Sequence, residues 1–443
     1  MSPKDESVPY PLHLALEKGD WSTAESLLTS GVDPNSTDED GSTPLHVVCR
    51  RHDVDSAERF FALCASHGHV PLIDARDNEG KAPLHLALPR GLRNLDEFLL
   101  SNGADPNALD AEGAAPLHYV CRGLVDPRVL LKIVFQHMGV REEAWDELAE
   151  RLARSGTDVL DFEKAMIGSL LTRGADPNLA NARGETPLHV ICQRDFSEGL
   201  AKIFLDLNAQ INGSTPRLDA KDELDHTALD WAVARLKLDA TQALLARGAD
   251  PSGLVFPTAS RHEEGFGQPW NDVFVSKDHY RLSDALAIVE LLTSKGYELA
   301  RSDALTIARF LSEREFFVKV LELEKFVDRA KRIKIRIASD GSRLSLHELI
   351  QLPYQEAAEL LSYREYFEQA HEKSFAKDLL PPSVKEKCAA HLFAKLSRGF
   401  FRDWALESLV ELTRHRMRLE CCEVIVDKLT NQDLCNICVA ANV

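Results

Sequence analysis

Thr43-Pro44-Leu45-His46, Ala82-Pro83-Leu84-His85, Ala115-Pro116-Leu117-His118 and Thr186-Pro187-Leu188-His189 are four writings of one tetrapeptide, and its recurrence decides the fold. Worn copies stand at Tyr10-Pro11-Leu12-His13 and Thr227-Ala228-Leu229-Asp230. From Tyr10 onward the intervals are 33, 39, 33, 71 and 41 residues. A second phrase travels with it: GVDPN from Gly31, GADPN from Gly103 and Gly174, and GADPS from Gly248. Two linked motifs returning at about 33 residues predict stacked helix–turn–helix units. Such a stack offers an extended surface rather than a pocket, which points to binding.

Each part of the motif has a physical task. Thr43 and Thr186 are expected to cap helices, their hydroxyls accepting a free backbone N–H, and the following proline suits the first helical turn. Leu45, Leu84, Leu117 and Leu188 are core candidates. His13, His46, His85, His118 and His189 return once per repeat, whereas a catalytic group is needed once, so a structural role is expected. Gly103 and Gly174 suit the left-handed residue that ends a helix, and Asp105 and Asp176 the turn that follows. These words resemble the ankyrin repeat over residues 8–252. The resemblance implies an all-α solenoid of helix pairs with finger loops, in which the histidine ties adjacent turns together.

Composition narrows the function. The chain has 443 residues, 44% hydrophobic, enough for two or three folded domains. Its start, MSPKDESVPY, is charged and carries no apolar leader, and no apolar run approaches a membrane span. Nine scattered cysteines fit reduced thiols, so the cytoplasm or the nucleus is the expected compartment and no membrane partner is expected. Residues 1–250 hold 25 Lys+Arg against 41 Asp+Glu, or −16, of the total −18. That acidity disfavours nucleic acid as a partner.

The 71-residue gap between Ala115 and Thr186 is about two repeats long. EEAWDELAERLAR from Glu142 has helical periodicity, with Trp145, Leu148 and Leu152 on one stripe, and DFEKAMIGSLLTRGADPN reads as a second helix with a normal exit. A degenerate repeat around 140–175 is expected, making about seven; an inserted helical arm is the alternative. Residues 253–280, rich in Gly, Pro and aromatics such as Phe266 and Trp270, read as a linker. Residues 281–339 read as a helical cap or degenerate repeat, with RAKRIKIR as a solvated helix end.

Residues 340–443 read as a compact helical module, its helices separated at Pro381-Pro382. The last stretch, MRLECCEVIVDKLTNQDLCNICVAANV, resembles an F-box, the motif that recruits the Skp adaptor of cullin–RING ubiquitin ligases. Leu419, Glu420, Ile425, Leu429, Asp433, Leu434 and Ile437 are the candidate adaptor-binding residues; Met417 and Arg418 stand where the pattern has Leu-Pro. Ankyrin repeats followed by a truncated F-box resemble the PRANC proteins of poxviruses and parasitoid wasps. That resemblance implies a ubiquitin-ligase substrate adaptor without catalysis of its own; a plain scaffold or inhibitor is the alternative. Cys421, Cys422, Cys435 and Cys438 raise zinc, but a CxxC within a helix reads as small hydrophobes, so no metal or cofactor is expected. No nucleophile elbow or phosphate-cradling loop appears.

For the target, register places Glu39, Glu79, Glu112 and Arg183, with Asn78 and Glu223, at finger tips. Arg50, Arg51, Arg90, Arg122, Arg194 and Arg235 fall at the ends of inner helices. Two readings stand: a basic ladder that grips an acidic segment of the target, or arginines that only neutralise neighbouring tips.

Overall fold

The structure, a computed structural model, describes residues 10–51, 54–88, 93–123, 157–194, 199–213, 215–254, 279–312, 331–332, 334–336, 343–363, 365 and 382–441. It divides into two compact units, residues 1–231 and 232–443, so the boundary falls inside the span expected for the repeats.

The first unit is a succession of helix pairs: α1 (Pro11–Lys18) with α2 (Trp21–Thr29), α3 (Pro44–Arg50) with α4 (Val54–Ser66), α5 (Pro83–Ala87) with α6 (Arg93–Ser101), α7 (Pro116–Arg122) with α8 (Thr157–Thr172), and α9 (Pro187–Gln193) with α10 (Leu200–Asn212). Helix α11 (Ala228–Ala234) runs across the boundary. These inner helices open on the proline of the tetrapeptide, in α3, α5, α7 and α9 after an extended residue such as Thr43 (φ −82°, ψ 164°) and in α1 after the left-handed Tyr10 (φ 59°). Leu45, Leu84, Leu117 and Leu188 are at most 1% exposed, and Phe60 and Phe204 of the outer helices are fully buried. Each such side chain contributes on the order of 1.5–3 kcal/mol by leaving water.

The 71-residue gap resolves differently from a lost repeat. Helix α8 packs on α6, α7 and α10, which makes it the outer partner of α7, and α9 packs directly on α7. Ala182 N–H donates to Glu112 O at 2.8 Å, and Asn107 Nδ2 donates to Gly174 O at 2.9 Å. The motif at Thr186 therefore stacks on the one at Ala115 with no finger between them. Residues 124–156 interrupt one repeat between its inner and outer helices, and the stripe at Trp145, Leu148 and Leu152 lies outside the described residues. The second of the two expected helices is real, but it completes the Ala115 repeat rather than forming a degenerate one.

The second unit contains α12 (Leu238–Ala246), α13 (His279–Ser294), α14 (Arg301–Ser312), β1 (Lys334–Arg336), β2 (Arg343–Ser345), α15 (Leu346–Gln351), α16 (Tyr354–Leu360), α17 (Pro382–Leu412), α18 (Leu419–Lys428) and α19 (Asn431–Ala440). The 31-residue α17 is its spine and touches α13, α14, α15, α16, α18 and α19. The strands correct the all-α expectation: β1 pairs antiparallel with β2, Ile335 opposite Leu344. Lys334-Ile335-Arg336, read from the sequence as part of a helix end, alternates instead, and Ile335 is 2% exposed. Most of the expected linker, with Phe266 and Trp270, lies outside the described residues.

Candidate protein-binding surfaces

The recurrent histidines form a relay. Nδ1 of His46, His85, His118 and His189 accepts the backbone N–H of Thr43, Ala82, Ala115 and Thr186 at 3.0–3.1 Å. Nε2 of the same rings faces the Lys81, Ala114, Glu185 and His226 carbonyls at 2.9–3.2 Å. A nitrogen facing an N–H must accept and one facing a carbonyl must donate, so each ring is the neutral Nε2–H tautomer. Burial pushes all four below the ordinary histidine pKa. His13 reaches Ser42 O at 2.8 Å. At Thr227 the motif has Asp230, whose Oδ2 accepts the cap N–H at 2.8 Å and the Thr227 hydroxyl at 2.7 Å. The hydroxyls of Thr43 and Thr186 also point at Nδ1, at 2.8 Å, instead of capping a backbone N–H as expected. The imidazole is the cap, which explains why Ala82 and Ala115 can replace threonine.

The fingers are rigid and ordered into a row. Asp77 Oδ1 accepts from Glu79 N–H and Lys81 N–H, and Asp110 and Asn181 repeat that pattern. Tips are then joined by Asn78 N–H to Asp40 O, Ala111 N–H to Glu79 O, Ala182 N–H to Glu112 O and Glu223 N–H to Arg183 O, at 2.8–2.9 Å. Gly80 shows why glycine recurs there: φ is +73°, and a Cβ would lie 2.5 Å from Ala111 N. Glu39, Asn78, Glu79, Glu112, Arg183 and Glu223 are all exposed along this row. Glu79 is paired with Lys81.

A second tie, which the sequence reading missed, uses the asparagine of the Asp-Pro-Asn phrase. Asn35 Nδ2 donates to Val70 O at 3.1 Å, and its Oδ1 accepts Leu72 N–H at 2.7 Å. Asn107 does the same with Gly174 O and Asp176 N–H. The recurrence of asparagine at that place was the available signal.

The arginines do not form one ladder, because they occupy two helical registers about 100° apart. Counting from the proline, or from Ala228 in the Thr227 copy, Arg50 and Arg122 are seventh; Arg51, Arg90, Arg194 and Arg235 are eighth. The eighth position reaches back to a neighbouring segment in two repeats, from an exposed Arg51 to a mostly buried Arg194. Arg51 donates to the Leu16 and Glu17 carbonyls, and Arg194 pairs with Glu163 at 2.9 Å, their side chains 16% and 2% exposed. Arg235 is half-buried in the second unit, and Arg90 lies outside the described residues. The seventh position faces outward: Arg50 donates to Ser42 Oγ at 2.7 Å, lies 3.9 Å from Asp77 and keeps 44% exposure, and Arg122 is exposed.

At the C-terminus Leu419 (53%), Val424 (56%) and Ile425 (37%) are exposed apolar side chains of α18, spread around the helix among the exposed Glu420, Asp427 and Lys428. Leu434 departs from its expected role at an interface: it is fully buried where α19 meets the rest of its unit. Asp433 is spent on capping, accepting Thr430 N–H at 2.9 Å, while Leu429 and Ile437 are half-buried. Cys422, Cys435 and Cys438 are buried, and burial pushes the Cys435 and Cys438 thiols up. Among the described residues, no group of three His, Cys, Asp or Glu is placed to hold a metal ion. Nor, among them, is any helix long and apolar enough to cross a membrane.

These features match known proteins. Residues 12–110 and 161–253 fit the ankyrin-repeat family in three copies. B-cell lymphoma 3 protein homolog of Mus musculus is 29% identical over 187 residues, 42% of this chain and 40% of that protein. NF-kappa-B inhibitor alpha of Homo sapiens is 37% identical over 98 residues, 22% of this chain and 31% of that protein. Transient receptor potential cation channel subfamily A member 1 of Drosophila melanogaster is 30% identical over 193 residues, 44% and 15% respectively. The chain thus spans two fifths or less of the length of these relatives. Residues 12–110 and 161–253 of this chain are thus similar to ankyrin repeats.

Proposed function

We propose that this chain is a substrate adaptor: its repeats hold a target protein, and its C-terminal helix pair docks on a Skp adaptor of a cullin–RING ubiquitin ligase. Catalysis then belongs to the ligase, and the chain acts by raising the effective concentration of its target. The observation that carries the second half is that Glu420 and Ile425 of α18 are exposed. Both fall in register with the F-box pattern, and Ile425 is 37% exposed; Leu419 beside Glu420 is 53% exposed. An exposed apolar side chain in that register is available to a partner helix. Leu434, in register too, is buried within its own unit. The target surface we assign to the finger row and the outward arginines: Glu39, Arg50, Glu79, Glu112, Arg122 and Arg183. The acidity of residues 1–250 argues against nucleic acid, and the cytoplasm or nucleus is the compartment this role requires.

A second reading has an observation of its own. NF-kappa-B inhibitor alpha, by its name, acts by inhibition, and its likeness to this chain favours a repeat array that works simply by occupying its partner. A pull-down of the full chain against a Skp adaptor separates the two. Retention by the native chain and loss on Ile425→Asp, an exposed position, supports the ligase role. No retention by the native chain leaves the repeats-only role.

A further inference from the structure

The seventh position of the inner helix has a fixed use in two repeats and none in a third. Arg50 is held by Ser42 Oγ at 2.7 Å, and Gln193 by Glu185 Oε1 at 2.9 Å, the residue just before the tetrapeptide serving as acceptor each time. In the Ala115 repeat that residue is Ala114, which has no side-chain acceptor. Arg122 is exposed and has no side-chain hydrogen bond or ion pair among the described residues. One turn earlier on the same helix face stands Tyr119, where α3, α5 and α9 carry Val47, Leu86 and Val190. Its ring is fixed at both ends: the hydroxyl donates to Asp110 Oδ2 at 2.7 Å, and the ring meets His85 edge-on at 5.2 Å between centroids. The backbone beyond is fixed too, since Gly123 has φ +98° and a Cβ there would lie 3.0 Å from the Arg194 guanidinium carbon.

We infer that Tyr119 and Arg122 form the specificity point of the repeat surface, taking a target segment in which a carboxylate side chain neighbours an apolar one. The guanidinium fork takes the carboxylate in two parallel hydrogen bonds, and the immobilised ring packs the apolar neighbour. Tyrosine and arginine are the residues on which interface energy concentrates, because they present much surface for little ordering cost. The surrounding acidity repels acidic segments in general, so binding depends on this contact rather than on bulk charge. The inference rests on the repeats being the target-binding part.

The test is selection from a display library of random 12-residue peptides on the immobilised full chain, followed by affinity measurement on Arg122→Glu, Arg122→Lys and Tyr119→Leu, each checked by its melting temperature. Enriched peptides should pair Asp or Glu with a large apolar residue. They should bind Arg122→Glu at least about tenfold more weakly, with Arg122→Lys and Tyr119→Leu between the two. Enriched peptides that lack carboxylates, or that bind Arg122→Glu as well as the native chain, overturn the inference and leave the repeat-binding role standing. No enrichment on the native chain overturns both.

Discussion

Acidification tests the histidine relay. His46, His85, His118 and His189 each accept a hydrogen bond at Nδ1 and face a carbonyl at Nε2, so the folded state has no ring lone pair left for a proton. Burial lowers all four pKa values, whereas in the unfolded chain they titrate near ~6.5. The sign is therefore fixed. Below pH ~6.5 the unfolded chain binds more protons than the folded one, so stability that is complete above that pH is lost as the solution is acidified toward the folded values. Each ring held neutral costs about 1.4 kcal/mol per pH unit in that window, and the four together about 5 kcal/mol per unit. Asp96 and Glu163, both raised by burial, act with the opposite sign and offset part of this. A single-site difference removes that complication. Hydrogen exchange of peptides covering residues 43–50, 82–88, 115–123 and 186–193, corrected for intrinsic rate, reports the opening free energy between pH 7 and 5. In His118→Gln, which keeps a donor and an acceptor but cannot ionise, the slope for residues 115–123 should fall by about 1.4 kcal/mol per unit. An unchanged slope in His118→Gln would show that His118 titrates in the folded state and would refute the assignment of a neutral relay.

Further outcomes follow from single features. Replacing residues 124–156 by a short Gly-Ser linker should leave the melting temperature within a few degrees, because Glu112–Ala182 and His118–Glu185 already join the repeats across the gap; a cooperative loss of the helical signal at room temperature would contradict that stacking. Asp96, 2% exposed with its pKa raised to about 6, binds a proton more readily folded than unfolded, so stability rises as pH falls through 6. Asp96→Asn should therefore stabilise the chain by about 2–3 kcal/mol at pH 7 and by little at pH 4, a difference that urea titration at the two pH values measures. Leu434→Ala should cost about 2–5 kcal/mol, and the exposed Ile425→Ala less than about 1 kcal/mol, by thermal denaturation; equal costs would place Ile425 in the core. Breaking the buried pair with Glu163→Leu should cost about 3–5 kcal/mol, more than Arg194→Leu with Glu163→Leu together, and equal losses would mean that the pair is not buried as described.

The repeats were legible because their sequence signals are local. A proline after Thr43 or Ala82 can open a helix whatever lies around it, and a glycine such as Gly103, at φ +94°, ends one for reasons internal to its own backbone. Periodicity of the tetrapeptide then gave helix pairs, a structural histidine and a binding role without reference to any distant residue. The short hairpin was legible too, had the alternation in Lys334-Ile335-Arg336 been weighed above its charge.

Contacts between segments far apart in the chain were another matter. Spacing alone could not tell a worn repeat from an interruption between Ala115 and Thr186; that took the pairing of Glu112 with Ala182, residues 70 apart. Nor could it separate Arg122 from Arg194, since a step of one residue turns a side chain from solvent toward the neighbouring helix, and only the neighbour's position reveals which way is in. Leu434 and Ile425 share one motif and one chemistry, yet one is buried and the other wet. The sequence by itself determined which helices form and where they begin, because capping and periodicity act within a few residues; the tertiary structure decided which side chains remain free to bind, because burial depends on what the rest of the chain brings alongside.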